Sequence, residues 1–276
     1  MYNINHLLPY IDCALMDSES IETNPQFISV GFTEKDEPKK VANKLYNSKV
    51  VFIHPDGFDY WSDVLMLLQE KREIPIKLFI FTCSDFFFDD EVLEIITCLF
   101  PRSKFFISNY IGNHPNCSIL PIGSTSEYNK DITKKCNFAI PSITLNCGYR
   151  HDFRKFIERN EHFKAYILPN LPTDVYFDIL SSLRFATTPR GNGHDTIRFW
   201  ECIMLGVIPI VERDIFYEKL RETYKIPFIM LDKWDNLNDM IEMLDEMLYG
   251  NIMDASDLTV LSEEYWIAKV KEIVNS

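Results

Sequence analysis

The chain has 276 residues, of which 46% are hydrophobic and 25% are charged. This balance is typical of a globular protein with one large or two modest domains and ample material for a core. The formal net charge of −13 disfavours nucleic acid and anionic membranes as partners, because both repel an acidic surface. No apolar run approaches the roughly 20 residues that a transmembrane helix needs, and the N-terminus lacks the pattern of a signal peptide. We therefore expect no transmembrane anchor and a cytoplasmic location, where the seven cysteines would stay reduced.

In chain order, the first half predicts strands that alternate with helices. Apolar or β-branched runs predict strands at residues 27–32, 50–53, 77–82, 104–108 and 118–122. Amphipathic runs predict helices at residues 37–47, 60–71 and 89–99. Apolar strands that alternate with helices indicate a parallel sheet with right-handed crossovers, so the predicted fold class is α/β.

A polar stretch at residues 124–137 has no apolar period and predicts a linker between two α/β halves. Strands are then predicted at 143–146, 165–168, 185–188, 208–211 and 228–231, and helices at 150–160, 173–183, 194–205, 215–223, 236–248 and 263–274. The predicted domains are residues 1–130 and 138–250, followed by a C-terminal helical segment at 251–276. Ligands of such folds bind at the carboxyl ends of the parallel strands.

The stretch from Phe185 to Val211 predicts a strand, a glycine loop, a helix and a second strand. Gly191 and Gly193 permit positive φ and let the loop backbone approach a ligand. Arg190 adds a cation where the predicted helix begins, which favours a phosphate site. The apolar helix carries its few polar groups along one stripe, formed by His194, Asp195, Arg198 and Glu201. Because unpaired charges there are costly, these groups either bind a ligand or form an internal Asp195–Arg198–Glu201 ion-pair ladder.

Arg150 is a second candidate cation in the same half of the chain. It falls at the start of a predicted helix, where a positive charge is mildly unfavourable, and this misfit favours a functional role over a plain surface position. Residues 146–200 hold eight basic and six acidic side chains, so this window is +2 while the rest of the chain carries −15. We expect Arg150 and Arg190 to clamp a diphosphate in place of Mg²⁺.

Other cofactor motifs are weak in this sequence. It contains no Asp-x-Asp, no His-x-x-x-His and no cysteine cluster, so no metal site is predicted. The Gly191-x-Gly193 pair lacks the third glycine of a dinucleotide fingerprint. This pair alone motivates a further alternative, a nicotinamide-dependent enzyme.

The run from Pro189 to Glu201, followed by residues 206–211, resembles the signature of exostosin-like glycosyltransferases. Residues 79–85 and 120–123 resemble two further segments of that family, so the resemblance covers roughly residues 77–231. It implies the GT-B fold, in which two Rossmann-like domains face each other across a cleft. It also implies inverting, metal-independent transfer from a nucleotide sugar, usually a UDP-sugar. The short chain looks like the compact soluble forms of large DNA viruses of algae and protists, which implies the host cytoplasm.

Carried onto this sequence, the resemblance implies a donor site. Arg150 and Arg190 would hold the diphosphate, and Glu201 would accept hydrogen bonds from the ribose hydroxyls. Asp195 and Arg198 would brace the loop and the sugar. The predicted donor-binding set is completed by Gly191, Gly193 and His194. By its place at the head of the predicted helix, His194 is a ligand or structural donor, with a catalytic base as the alternative.

Inversion of the sugar needs a general base that takes the proton of the acceptor hydroxyl. Asp85, after a first-half strand, is the first candidate and Asp56 the second, and the alternative for each is a loop-capping aspartate. The expected activity moves a sugar, with UDP-xylose tried first as donor, to an oligosaccharide or glycoprotein glycan, with no cofactor beyond this co-substrate. The alternative is a catalytically inactive nucleotide-sugar- or glycan-binding module of the same fold.

Overall fold

The computed structural model describes residues 7–15, 38–54, 58–69, 75–82, 85–123 and 136–276. The strand predicted at 27–32, the candidate base Asp56 and nearly all of the predicted linker lie outside these ranges. The chain divides into two compact units. The N-terminal unit is Tyr2–Ile122 together with Glu263–Ser276, and the C-terminal unit is Gly123–Ser262. The segment predicted as a separate C-terminal region, residues 251–276, is therefore shared between the two units.

The N-terminal unit is built on a parallel sheet whose described strands follow the order β1-β2-β3-β4-β5. They are β1 Cys13–Leu15, β2 Val50–Ile53, β3 Leu78–Phe81, β4 Lys104–Ile107 and β5 Cys117–Ile119. Strands β2 and β3 are buried at every position. Parallel strands that are covered on both faces require such uninterrupted apolar sequences, so the predicted α/β class is confirmed for this unit.

Three described α-helices lie between these strands along the chain. They are α1 Pro38–Leu45, α2 Phe58–Gln69 and α3 Asp90–Leu99. Helix α3 begins where the sequence predicts, because the Asp89 side chain accepts a hydrogen bond from Val92 N at 2.9 Å and caps the first turn. After β4 the chain turns through Asn109, whose φ of 56° is in the left-handed region, and residues 108–116 lead to β5 without a helix.

The C-terminal unit contains a second parallel sheet, with the order β6-β7-β8-β9. Its strands are β6 Cys136–Ala139, β7 Leu183–Thr187, β8 Ile208–Glu212 and β9 Ile229–Leu231. Its helices are α4 Gly148–Arg159, α5 Thr173–Ser182, α6 Ile197–Met204, α7 Ile215–Thr223, α8 Leu237–Met243 and α9 Glu246–Asp254. Two parallel sheets with helices agree with the predicted pair of Rossmann-like halves.

Both faces of the second sheet are covered, and they are covered by different helices. Phe185 of β7 packs in one cluster with Phe153 of α4. Its neighbour Ala186 packs in the opposite cluster, with Leu180 of α5 and Cys202 of α6. Since adjacent residues of a strand point to opposite faces, α4 lies on one face of the sheet and α5 and α6 lie on the other.

The order in which the chain adds segments to the second sheet reverses at β6. After β6 the chain runs through α4 to Ile167, which forms a parallel bridge with Ile140 on the edge of β6 that β7 does not occupy. The chain then returns through α5 to β7, on the other side of β6. The loops that follow β6 and β7 therefore lead to helices on opposite faces of the sheet. Ligands of α/β folds bind at such a point, and we call the region between these two loops the crevice.

Three predictions for the C-terminal unit are wrong in detail. Residues 143–146, predicted as a strand, have no regular structure, and the strand is β6, which lies partly in the predicted linker. Residues 165–168, also predicted as a strand, are the end of a 3₁₀ helix, Glu161–Tyr166, and a single bridge at Ile167. The helix predicted at 236–248 is two helices, because the Asp245 side chain accepts from Leu248 N at 2.6 Å and starts α9.

The last helix of the chain, α10, spans Glu263–Asn275 and belongs to the N-terminal unit. Trp266 is 1% exposed and lies edge-on against Phe106 of β4, with 5.3 Å between the ring centroids. Helix α10 also contacts β3. Helix α10 therefore covers part of the sheet of the N-terminal unit.

Candidate functional site

The crevice between the loops after β6 and β7 contains Arg150. This arginine lies in the first turn of α4, and its Nη1 donates to Thr144 O at 3.3 Å and to Asn146 Oδ1 at 3.1 Å. Both acceptors belong to the loop after β6 and are neutral. Arg150 Nε is buried and has no hydrogen-bond acceptor among the described residues. The guanidinium is thus oriented by the loop, and the acceptors that orient it carry no negative charge.

Gly191, in the loop after β7, faces Arg150 directly. A Cβ atom at Gly191 would lie 3.3 Å from Arg150 Nη2. The positive φ that the sequence allows here does not occur, since the described glycines with positive φ are Gly123 and Gly206. The loop glycine is therefore used for close approach to a guanidinium, and Gly206 ends α6 in the left-handed conformation.

Arg190 lies beside this glycine and is held by two groups. Its Nη1 donates to Asp214 Oδ2 at 2.6 Å, with 18% and 12% of the two side chains exposed. Its guanidinium carbon lies 4.0 Å from the centroid of the Tyr149 ring, at a distance typical of a cation–π contact. An ion pair and an aromatic face fix the plane of the guanidinium at the mouth of the crevice.

Asp214 is the residue that joins the cluster, and the sequence analysis did not single it out. It follows β8 and caps α7, where it accepts from Phe216 N at 2.9 Å. Its Oδ1 also lies 2.6 Å from His194 Nδ1, so Nδ1 carries a proton, because an ionised carboxylate only accepts. Burial acts to raise the pKa of Asp214, but the hydrogen bonds from His194 and Phe216 N, with the nearby positive charge of Arg190, lower it below its ordinary value.

The predicted helical stripe is not continuous, because α6 begins at Ile197 rather than at His194. Thr196 stops the helix from starting earlier, since its side chain accepts from Phe199 N at 3.3 Å and caps the first turn. His194 and Asp195 therefore lie in the loop and not on the helix. Asp195 is 4% exposed, and its Oδ1 accepts from Trp200 Nε1 at 2.5 Å, so it fastens the loop to the buried face of α6.

Arg198 and Glu201 remain on α6 and form part of the predicted ladder. Arg198 Nε lies 3.5 Å from Glu201 Oε2. Arg198 also donates from Nη1 to Ser142 O at 2.9 Å and lies 4.7 Å from the centroid of the Tyr176 ring. Burial raises the pKa of Glu201, although the Arg198 charge acts in the opposite direction. Arg198 thus ties α6 to the loop after β6. Its pair with Glu201 is the part of the ion-pair alternative that the structure shows, and it leaves Glu201 as a half-buried carboxylate.

The candidate base Asp85 lies in the N-terminal unit, four residues after β3, and its side chain is exposed. The other candidate, Asp56, lies outside the described residues. The structure brings together Arg150, Arg190, Gly191 and His194 in the C-terminal unit, with Arg198 and Glu201 behind the loop after β6. Gly193 is buried in the same loop.

Two of the cavities among the described residues lie in the C-terminal unit. One of about 90 Å³ lies beside Arg190 and Asp214, with Tyr149 and Tyr217 in its wall. It is much smaller than the roughly 300 Å³ of small ligand pockets, so it does not by itself hold a nucleotide. The other, of about 590 Å³, lies between α4 and the start of α8 and is lined by Phe156, Arg159 and Asn238, among others, but by none of the predicted site residues.

Comparison with models of known protein families found no match to this chain, and a search of curated proteins found none either. Within the described ranges, no group of three or more His, Cys, Asp or Glu side chains is arranged to hold a metal ion. Every helix that the structure describes is too short or too polar to cross a bilayer. The geometry of the crevice is therefore the basis on which a function is proposed.

Proposed function

We propose that this protein is an inverting, metal-independent glycosyltransferase of the GT-B type, which transfers a sugar from a UDP-sugar to a hydroxyl of a glycan. The observation that carries the proposal is the place of the two arginines. Arg150 lies in the first turn of α4, directly after the loop that follows β6, and Arg190 lies on the loop that follows β7. These two connections diverge at the reversal of the second sheet, where α/β folds bind ligands. Both arginines lie there in a chain whose net charge is −13.

The charges of the cluster favour an anionic ligand. Arg190 is compensated by Asp214, whereas the acceptors that orient Arg150 are neutral. Arg150 therefore contributes a full positive charge, which a diphosphate would neutralise through charge-assisted hydrogen bonds. Arg190 Nε, like Arg150 Nε, is buried without an acceptor among the described residues, so the hydrogen-bonding capacity of both guanidiniums is incompletely used.

The proposed reaction displaces UDP at the anomeric carbon. The acceptor oxygen forms a bond to this carbon while the bond to the diphosphate oxygen breaks, and the electron pair leaves with UDP. The two arginines stabilise the charge that develops on the leaving phosphate. Asp85 takes the proton of the acceptor hydroxyl as general base. Glu201 is proposed to accept hydrogen bonds from the ribose, and UDP-xylose is the first donor to try.

A second candidate is a nucleotide-sugar- or glycan-binding module without catalytic activity. The exposure of Asp85 favours it, because burial does not hold that carboxylate in place. One variant distinguishes the two candidate functions. Under the enzyme proposal, Asp85→Asn abolishes transfer and keeps UDP affinity, whereas under the binding-module proposal no measured property changes.

The proposal is tested by titration calorimetry with UDP in EDTA. The wild type should bind, and Arg150→Ala should bind more weakly by about 2–4 kcal/mol, because it loses a charge-assisted fork in a cleft. Arg159→Ala, an exposed arginine at the other end of α4, is the matched control and should bind as the wild type does. Equal affinity of the two variants, or binding and transfer that require added divalent metal, would count against the proposal.

A further inference from the structure

The larger cavity of the C-terminal unit, which we call the α4–α8 cavity, lies outside the proposed donor site. Its volume of about 590 Å³ falls within the roughly 300–1,000 Å³ of small-molecule pockets. One wall is a single face of α4, whose lining residues have the spacing of neighbours on a helix: Asp152, Lys155, Phe156 and Arg159. Arg159 follows Arg150 by nine residues, which is roughly 13 Å along the helix. The cavity therefore extends away from the proposed diphosphate site.

The opposite wall of the cavity is anchored in the core. It consists of Asp235, in the 3₁₀ turn Trp234–Asn236, and Asn238, in the first turn of α8. The Trp234 ring packs against Phe153 of α4, with 4.4 Å between the ring centroids, and both side chains belong to the buried core. This contact holds the turn against α4 and so fixes the spacing of the two walls. A site that is ordered before binding loses little entropy when a ligand arrives.

The charged groups that line the cavity sum to zero. Lys155 Nζ lies 3.1 Å from Asp152 Oδ1, and both side chains of this ion pair are exposed. Arg159 and Asp235 are exposed as well, and neither belongs to an ion pair among the described residues. Two cations and two carboxylates favour a ligand without net charge over a phosphate or a cation, since binding surfaces and their ligands are complementary in charge.

The neutral groups of the lining supply donors, acceptors and an apolar surface. Asn160 Nδ2 donates to Phe156 O at 2.8 Å, and Asn238 Oδ1 accepts from His162 Nε2. Each amide thus uses one of its two polar atoms in these bonds. Phe156 is half-buried and packs against the buried Phe163, with 5.3 Å between the ring centroids. A ligand with hydroxyl groups and C–H faces suits this lining, because a hydroxyl donates to a carboxylate and also accepts from a guanidinium or an amide.

We propose that the α4–α8 cavity binds a neutral oligosaccharide, with Asp235 accepting from its hydroxyls and Arg159 donating to them. A free amino acid carries charges that could pair with the same two side chains, but it would fill only a small part of a cavity of this size. The inference goes beyond the proposed function and does not depend on UDP binding. It assigns to the protein a carbohydrate site that is separate from the donor crevice.

The test measures sugar binding with and without UDP. The probes are xylotriose, maltotriose and triacetylchitotriose, with L-serine as a small zwitterion, and the readout is a saturation-transfer NMR titration of the intact chain. We expect the wild type to bind at least one trisaccharide and to keep it in excess UDP. Asp235→Ala should weaken that binding about tenfold, because a charge-assisted hydrogen bond is lost. Asp239→Ala removes another exposed carboxylate, in the first turn of α8, and should bind as the wild type does.

The outcomes separate the cavity from the proposed function. Absence of saturation transfer for all three trisaccharides, or equal affinities of Asp235→Ala and Asp239→Ala, would overturn the inference and leave UDP binding as it stands. Displacement of the sugar by UDP would place the sugar in the crevice and would also overturn it, as would binding of L-serine alone. Sugar binding that depends on Asp235 in a protein without affinity for UDP would support the inference and reject the donor proposal.

Discussion

At the scale of single residues, the crevice is organised by Asp214. This carboxylate accepts from Arg190, from His194 and from a backbone N–H. Asp214 thus fixes the guanidinium plane of Arg190 and the tautomer of His194. Both side chains are therefore oriented before a ligand reaches the proposed diphosphate site. Its position was open to prediction, because an aspartate that directly follows a parallel strand and starts a helix lies at the carboxyl edge. The sequence contains many such aspartates, and the charge partners that distinguish this one are distant in the chain.

Asp214→Asn should lower the free energy of unfolding by about 1–3 kcal/mol at pH 7, because it leaves Arg190 partly buried without its counter-charge. The pKa of Asp214 is lower in the folded chain than its ordinary value of 3.8. Its contribution to stability is therefore complete above pH 3.8 and is lost as the pH falls through the folded pKa. Urea unfolding at several pH values should show the wild type and the variant converging at acid pH. A difference that stays constant down to pH 3 would contradict the ionic role.

Glu201→Gln should impair UDP binding about tenfold without reducing stability. Burial raises the pKa of Glu201 above its ordinary value of 4.5. The favourable contribution of this group to folding is thus present below that value and is lost as the pH rises through the folded pKa, so its ionised form costs stability at neutral pH. Thermal unfolding without ligand is the measurement. Glu158→Gln on the exposed face of α4 is the control, and a loss of more than about 1 kcal/mol in Glu201→Gln alone would favour a purely structural ion pair.

At the scale of elements, the loop after β7 and the first turn of α4 are in contact and together carry the proposed diphosphate site. The contact between them depends on the missing side chain of Gly191, whose added Cβ would lie 3.3 Å from Arg150 Nη2. Gly191→Ala should therefore displace the guanidinium and weaken UDP binding about three- to tenfold, with little change in thermal stability. Gly148→Ala is the matched control in the same turn of α4, because nothing lies within 4 Å of its added Cβ. Equal UDP affinities of the two variants would show that Arg150 is not placed by this contact.

The sequence predicted the type and order of most elements but not the limits of those at the site. Buried strands such as β3 and β8 were predicted because apolar residues run through them without interruption. The start of α6 was placed three residues too early, because His194 and Asp195 fit a helical stripe, whereas Thr196 supplies the cap. The first two residues of strand β6, Cys136 and Asn137, were assigned to the linker because they are polar or exposed and broke the apolar pattern. Caps and edge strands depend on contacts that sequence periodicity does not report.

At the scale of the whole molecule, the proposed donor site lies within one unit, whereas the N-terminal unit is built from both ends of the chain. The residues of the proposed donor site all lie in the C-terminal unit, while the end of the chain returns as α10 to the N-terminal unit. Trp266 anchors this return at 1% exposure. The N-terminal unit, which contains Asp85, therefore depends on the last helix for a covered sheet, although Asp85 precedes that helix by more than a hundred residues.

Trp266→Ala should destabilise the N-terminal unit by about 3–5 kcal/mol, because it leaves a large cavity against β4. We expect UDP affinity to change less than about twofold, since Arg150 and Arg190 are positioned by contacts inside the other unit. Calorimetry with UDP and thermal unfolding followed by fluorescence measure the two effects separately. Lys269→Ala on the same helix removes a solvent-exposed ion pair, which is worth about 1 kcal/mol at most, and it controls for changes in α10 itself. If UDP affinity falls in step with stability in Trp266→Ala alone, the donor site does not belong to the C-terminal unit by itself, and the assignment of the diphosphate to the crevice between β6 and β7 fails.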